Sequence, residues 1–150
     1  MRISRKAEYA LRALTAMARK PPEATSQIED LARTQRIPVK FLEQILLTLR
    51  KAGVLRSKRG VGGGYQLNRP AARISLADVV TAVDGPFQPM VCTPPEPGQS
   101  LQTACECGTP GGCGAGRLFT DLQNLVHTFL SRATLADALT KEQAVMQFDI

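Results

Sequence analysis

The sequence contains a single histidine, His127, among its 150 residues. It shows no constellation of serine, histidine and aspartate for nucleophilic catalysis, and one imidazole leaves little capacity for acid-base chemistry. Charged residues interrupt its apolar stretches every few positions, and residues 1–6 lack the apolar region of a signal peptide. We therefore expect a cytoplasmic protein without a membrane segment, and we do not expect an enzyme.

Charge is distributed unevenly along the chain. Residues 1–75 carry 16 basic and 5 acidic side chains, a net charge of +11. Residues 76–150 carry 3 basic and 8 acidic side chains, a net charge of −5, so that the whole chain has +6. Because neutralisation of phosphates supplies most non-specific affinity for DNA, this division predicts a DNA-binding half followed by a sensing or assembly half.

Hydrophobic periodicity predicts three helices in the first third of the chain, over residues 6–19, 27–34 and 39–52. Ser26 to Glu29 matches a capping box at the start of the second helix, and Pro38 suits the first position of the third. The buried stripe of the third helix is expected to consist of Leu42, Ile45, Leu46 and Leu49. Two helices joined by a tight turn are typical of a helix-turn-helix motif.

A glycine-rich hairpin is predicted next, with strands over residues 54–58 and 65–68. Glycine-rich runs also bind nucleotide phosphates, but the Gly-Lys-Ser/Thr ending is missing here and a strand, rather than a helix, follows. A basic hairpin directly after a recognition helix is typical of a wing that reaches the minor groove or the phosphates. The candidate DNA-contacting residues are Lys40, Phe41, Gln44, Lys58 and Arg59.

The second half of the chain begins with a predicted helix over residues 76–83, which Ser75 caps. A long helix is predicted over residues 117–132, and the tail from 134 to 150 is expected to add a helical turn or two. The long helix has a wide apolar face that includes Leu118, Leu122, Leu125 and Phe129. This face favours packing against a symmetric partner helix, and packing against its own domain is the alternative.

Between these helices lies a loop rich in proline and glycine, which contains all four cysteines of the chain: Cys92, Cys105, Cys107 and Cys113. Reducing cytosol disfavours structural disulfides, so a cluster of this kind indicates a metal or redox site. We divide the chain into a winged helix-turn-helix domain (1–84), a cysteine-rich loop (85–116) and a dimerisation helix with its tail (117–150). Because the loop has few apolar side chains, we expect a bound metal group to hold it in place.

Three segments, residues 1–11, 41–55 and 57–65, resemble the IscR/NsrR-type (Rrf-two) family of bacterial regulators. The resemblance extends over roughly residues 1–140. It implies a mainly α-helical, winged-helix fold with a small β-hairpin, and a homodimer formed through the long C-terminal helix. It also implies that the protein senses iron-sulfur status, nitric oxide or redox state.

The sensing members of this family carry three cysteines, the last two separated by five residues, and Cys92, Cys107 and Cys113 match that pattern. Cys105 is additional, and Gly116 occupies the position at which cluster-assembly regulators have a histidine. The fourth ligand is therefore either Cys105, giving an all-thiolate site for a two-iron or four-iron cluster, or Glu8 of the first helix, the position that some relatives use. We expect a dimer-face or surface role for His127.

The leading hypothesis is a sequence-specific transcription regulator, most simply a repressor, that binds operator DNA as a homodimer and senses its signal through an iron-sulfur cluster. Four thiolates also suit zinc, although the paired spacing of zinc ribbons is absent. A metal-free thiol switch on the same fold is a further alternative, and a small iron-sulfur electron carrier is a less favoured one.

Overall fold

A computed structural model describes residues 3–98, 108 and 113–146 of the chain. These residues form helices, a two-stranded antiparallel sheet and a 3-10 turn at Ala71–Arg73. The elements are α1 (Arg5–Ala18), α2 (Ile28–Gln35), α3 (Val39–Lys51), β1 (Leu55–Lys58), β2 (Gly64–Leu67), α4 (Leu76–Asp84), α5 (Gly114–Arg132) and α6 (Leu135–Met146). The predicted mainly α-helical fold with one hairpin is confirmed.

The hydrophobic core lies among α1, α3, α4 and the hairpin. The four apolar residues predicted as the stripe of α3 are all fully buried: Leu42, Ile45, Leu46 and Leu49. Gly53 follows α3 with a φ of 75°, a backbone conformation that ends a helix and that glycine adopts without strain. The core therefore fixes α3 on its inner side and leaves its outer side free for recognition.

Two local predictions around α2 and α3 are wrong. Ser26 forms no capping box, because Gln27 is the N-cap of α2 and makes no side-chain cap bond. The backbone of Ser26 instead pairs with Tyr65 of the hairpin. Pro38 is the N-cap of α3 rather than its first helical residue. Helix α2 therefore begins one residue later than predicted, whereas α3 begins at residue 39 as predicted, with Pro38 just outside it.

The capping box at the start of α4 is formed by Ser75 and Asp78, whose side chains each accept a backbone N–H of the other residue. Arg69 also donates to the Asp78 carboxylate at 2.7 Å. Burial alone would raise the pKa of Asp78, but the hydrogen bonds from the Ser75 backbone, from Arg69 and from the Ser75 hydroxyl outweigh it and lower this pKa. The ionised form of Asp78 therefore stabilises the folded state.

Replacing Asp78 with asparagine is expected to lower the free energy of unfolding by about 0.5–1 kcal/mol at neutral pH, a small value because the carboxylate is partly exposed. Because the pKa of Asp78 is lower in the folded state than in the unfolded state, its ionised carboxylate stabilises the folded state above the unfolded pKa. This stabilisation is lost as the pH falls below about 4. Chemical denaturation at several pH values should show the difference from wild type shrinking on acidification. Asp121→Asn, which removes an exposed carboxylate on α5, is the control, and an identical pH response of both variants would contradict this assignment.

The C-terminal part is more helical than predicted. Helix α5 begins at Gly114 instead of residue 117, and α6 is a full helix rather than a turn or two. Leu135 at the start of α6 is fully buried, and its N–H donates to the Ile74 carbonyl at 3.0 Å. Arg19 at the end of α1 forms an ion pair with Glu142. Contacts with distant residues thus hold α6 on the same core as α1.

Candidate nucleic-acid interface and sensing loop

The outer side of α3 presents Lys40 and Gln44, which are exposed and lie one turn apart. Phe41 is partly buried, and its ring packs edge-on against Tyr9 of α1 with 5.8 Å between ring centroids. The guanidinium groups of Arg5 and Arg12 lie 5.9 Å and 5.4 Å from the centre of the Tyr9 ring. Lys40 and Gln44 are therefore free to reach a ligand, whereas Phe41 also joins α3 to a basic segment of α1.

The hairpin carries Lys58 and Arg59, both exposed, where β1 leads into the tip. The tip is tightly folded, since a Cβ on Gly63 would lie 2.5 Å from the Lys58 carbonyl oxygen. Between Gly60 and Gly64 the only side chain is that of Val61, which is fully exposed. The tip is therefore narrow and bears one apolar side chain, a feature that was not predicted from the sequence.

The hairpin is fastened to the segment that precedes α2. The Thr25 hydroxyl donates to the Gly62 carbonyl at 2.9 Å. Ser26 and Tyr65 exchange two backbone hydrogen bonds of 2.8 and 2.9 Å, and a Cβ on Gly64 would lie 2.6 Å from the Ser26 carbonyl oxygen. The wing and the helix-turn-helix motif are thus held in one fixed relative orientation.

Two of the four candidate metal ligands lie in the described part of the chain. Cys92 is 8% exposed, whereas Cys113 is partly exposed and is the N-cap of α5, where its Sγ accepts the Gly116 N–H at 3.3 Å. Cys105 and Cys107 lie outside the described residues. Within residues 3–98, 108 and 113–146, no three metal-ligating side chains converge. The structure therefore places the first and last cysteines of the predicted set and leaves the middle two undescribed.

The two further residues considered for this site have ordinary surface partners. Glu8 forms an ion pair with Arg5 at 3.3 Å, one turn earlier on α1. His127 is exposed on α5, and its Nε2 lies 3.4 Å from the Ser131 hydroxyl.

The first part of the cysteine loop has anchors of its own, contrary to the expectation that a bound group holds the entire loop in place. Gln123 of α5 donates to the Pro94 carbonyl at 2.8 Å. Asn124 accepts the Gly98 N–H at 2.9 Å. Two consecutive amide side chains of α5 thus bind the segment that follows Cys92. Neither anchor was predicted, because a polar residue on an apolar helix gives no local sign that it is buried.

The apolar face predicted on α5 is largely uncovered in the single chain. Leu118 is 71% exposed, Leu125 is 68% exposed and Phe129 is 65% exposed. Leu122, on the same face, is partly buried. Three large apolar side chains in a row along one helix face form an exposed patch of the kind that marks an interaction surface.

The sequence matches the Rrf2 family, described as iron-dependent transcriptional regulators, over residues 3–141. The chain belongs to the Rrf2 family of transcription regulators. It is 37% identical over 145 residues to a putative HTH-type transcriptional regulator, rrf2-like, of Rhodobacter capsulatus, covering 93% of this chain and 89% of the relative. It is 32% identical over 151 residues to the HTH-type transcriptional regulator IscR of Serratia proteamaculans, covering 99% of this chain and 85% of IscR.

Among solved structures, this Rrf2 chain is similar to CymR (YrzC), the global cysteine regulator of B. subtilis. The TM-score is 0.74 and the sequence identity 26%, over 94% of this chain and 98% of CymR. The winged helix-turn-helix architecture is thereby confirmed, and the protein is a DNA-binding transcription regulator. No helix in the described part of the chain is long and apolar enough to cross a membrane.

Proposed function

We propose that this Rrf2 protein binds a palindromic operator as a homodimer, most simply as a repressor, and that an iron-sulfur cluster held by the cysteine loop controls its affinity for DNA. In this proposal residues 1–84 bind DNA, residues 85–116 sense the signal and residues 117–150 form the dimer. The observation that carries the proposal is the position of the two described cysteines. Cys92 lies shortly after α4 of the DNA-binding core, and Cys113 caps α5, so a group that binds both ties these helices together.

The donor set suits an iron-sulfur cluster. Thiolates are the ligands that such clusters prefer, and Cys92 and Cys113 are both free cysteines. The Gly116 N–H already points at the Cys113 sulfur, as N–H groups do around cluster thiolates. Cys92, Cys105, Cys107 and Cys113 would form an all-thiolate site, and Glu8 is the alternative to Cys105 once its ion pair with Arg5 opens. When bound, the cluster would supply a redox- and nitric-oxide-sensitive centre.

A direct contact links the start of the loop to the DNA-binding helices. Ser4, the N-cap of α1, donates its backbone N–H to the Asp84 carboxylate at 3.1 Å and also donates its hydroxyl to that carboxylate. Asp84 is the last residue of α4 and directly precedes the loop. A displacement of the loop therefore acts on both α4 and α1, and through them on the position of α3.

A metal-free thiol switch is the second candidate, and the similarity to CymR, a cysteine regulator, favours it. Anaerobic purification of the full chain, followed by visible absorption spectroscopy and iron and sulfide analysis, separates the two candidates. We expect a coloured protein that contains iron and sulfide. A colourless preparation would exclude the cluster, and zinc in that preparation would instead support a zinc-dependent regulator.

The exposed basic residues of the wing and the polar residues of α3 are expected to differ in what they contribute to DNA binding. Arg59→Ala should weaken binding to all sequences alike and reduce the salt slope of binding by about 1, because a phosphate or minor-groove contact carries little base information. Gln44→Ala should cost about 1–3 kcal/mol mainly at one base position, because an amide at the helix surface can pair with a base edge. Titrations of operator variants at several salt concentrations measure both effects.

Glu29→Gln provides a control, since this exposed side chain lies in the first turn of α2 and belongs neither to α3 nor to the wing. It is expected to leave both the sequence preference and the salt slope near wild-type values. Equal losses on every sequence for Arg59→Ala and Gln44→Ala would count against the division of roles.

A further inference from the structure

The most buried side chain of α5 is a glutamine. Among the residues of this helix only Gly116 and Gln123 are buried, and Gln123 is 1% exposed. Buried amides are rare unless they are hydrogen-bonded, because burial removes their bonds to water. The position of Gln123 therefore calls for an explanation beyond packing.

Gln123 binds a compact turn that includes Cys92. Its Nε2 donates to the carbonyl of Pro94, two residues after the cysteine, at 2.8 Å. Inside the turn, the hydroxyl of Thr93 donates to the Met90 carbonyl at 2.7 Å, and Gln88 donates to the Thr93 carbonyl at 2.7 Å. Thr93 is completely buried. The turn is thus closed by its own bonds and is fastened to α5 through the Gln123 side chain.

The orientation of the Gln123 amide follows from its partner, because a carbonyl oxygen accepts hydrogen bonds and cannot donate them. The Nε2 atom must face Pro94, so Oε1 points away from that carbonyl. This Oε1 is buried and has no hydrogen-bond partner among the described residues. Burying the unpaired Oε1 atom costs free energy that an apolar side chain of the same size would not lose. We therefore attribute the role of Gln123 to its donor group, the Nε2 amide that bonds Pro94.

We propose that Gln123 is a positioning residue that holds the turn containing Cys92 on α5 and so keeps the Cys92 thiol buried, with Cys92 becoming accessible only when the bond between Gln123 and Pro94 opens. Its meaning for signalling rests on the proposed function, in which Cys92 is a sensing residue. The positioning itself concerns only the contacts of this chain and is testable without a cluster. Opening this bond releases the turn that contains Cys92 from α5, the helix that carries the proposed dimer face.

The experiment is site-resolved alkylation of the reduced, metal-free, full-length chain with iodoacetamide, read by mass spectrometry. In the wild type, Cys92 is expected to react at least tenfold more slowly than the partly exposed Cys113. Gln123→Met keeps the size of the side chain and removes the donor, and it should raise the rate at Cys92 at least tenfold with less than a twofold change at Cys113. Asn124→Ala removes the neighbouring bond to Gly98 and should leave the Cys92 rate within twofold of wild type.

Hydrogen exchange separates positioning from general destabilisation. In Gln123→Met, faster exchange is expected at residues 90–94 and not in α3, whereas a purely structural role would accelerate exchange in both. Equal alkylation of Cys92 and Cys113 in the wild type overturns the proposal even if the variants do not fold. An unchanged Cys92 rate in folded Gln123→Met also overturns it. Absence of a cluster from the purified protein would refute the proposed iron-sulfur function and leave these rates as they are.

Discussion

Replacing Phe129 with aspartate is expected to convert the protein from a dimer to a monomer and to weaken operator binding by roughly 10²–10⁴-fold. Phe129 is 65% exposed on the apolar face of α5, where a carboxylate would have to be buried unpaired in a symmetric interface. A monomer gives up the second half-site and with it the gain from simultaneous binding. Sedimentation and operator titration measure the two effects.

Ser131→Asp is the matched control for this experiment. Ser131 is exposed on the same helix but lies roughly 160° around the helix axis from Phe129, so the same charge falls outside the apolar face. The control should remain a dimer and bind its operator normally. If Phe129→Asp remains a dimer, the apolar face of α5 is not the dimer interface. Another part of the protein would then cover Leu118 and Leu125.

The second large effect concerns the cysteines. Serine at any one of Cys92, Cys107 or Cys113 is expected to abolish the visible chromophore of the anaerobic protein, because a hydroxyl does not replace a soft thiolate ligand. The protein should remain a folded dimer, which gel filtration and circular dichroism check. Absorption and iron content measure the loss.

Cys113 allows this loss to be separated from damage to the helix. The Cys113 sulfur caps α5 by accepting the Gly116 N–H, and serine is itself a preferred N-cap residue. Cys113→Ser should therefore keep α5 and lose the cluster, whereas Cys113→Ala loses both the ligand and the cap. Similar helix content in the two variants would show that the cap contributes little to α5.

Cys105→Ser decides the fourth ligand. Complete loss of colour indicates an all-thiolate site, and retention of colour directs attention to Glu8, whose variant Glu8→Gln then becomes the next measurement. If the combined variant of Cys92, Cys107 and Cys113 binds the operator with unchanged affinity and promoter choice, the loop does not control DNA binding.

Local patterns in the sequence were sufficient for much of the DNA-binding unit. The spacing of Leu42, Ile45, Leu46 and Leu49 predicted the buried side of α3, because burial on one side of a helix repeats every three to four residues. Ser75 marked the start of α4 through capping, which depends on a few neighbouring residues. The basic and apolar faces could be assigned for the same reason, although the roles of their individual residues stay predictions.

Only the tertiary structure decided the features that depend on residues far apart in the chain. Ser26 matches a capping box locally, yet its backbone is engaged by Tyr65, 39 positions later, so the wing and not α2 determines its role. Leu135 is buried and donates its N–H to the Ile74 carbonyl, so a tail expected to add a turn or two forms a full helix. Gln123 looks like an ordinary polar residue of an amphipathic helix until the carbonyl of Pro94 is brought to its side chain. Periodicity reports which side of an element is buried, whereas the partner that buries it is fixed only when the whole chain has closed on itself.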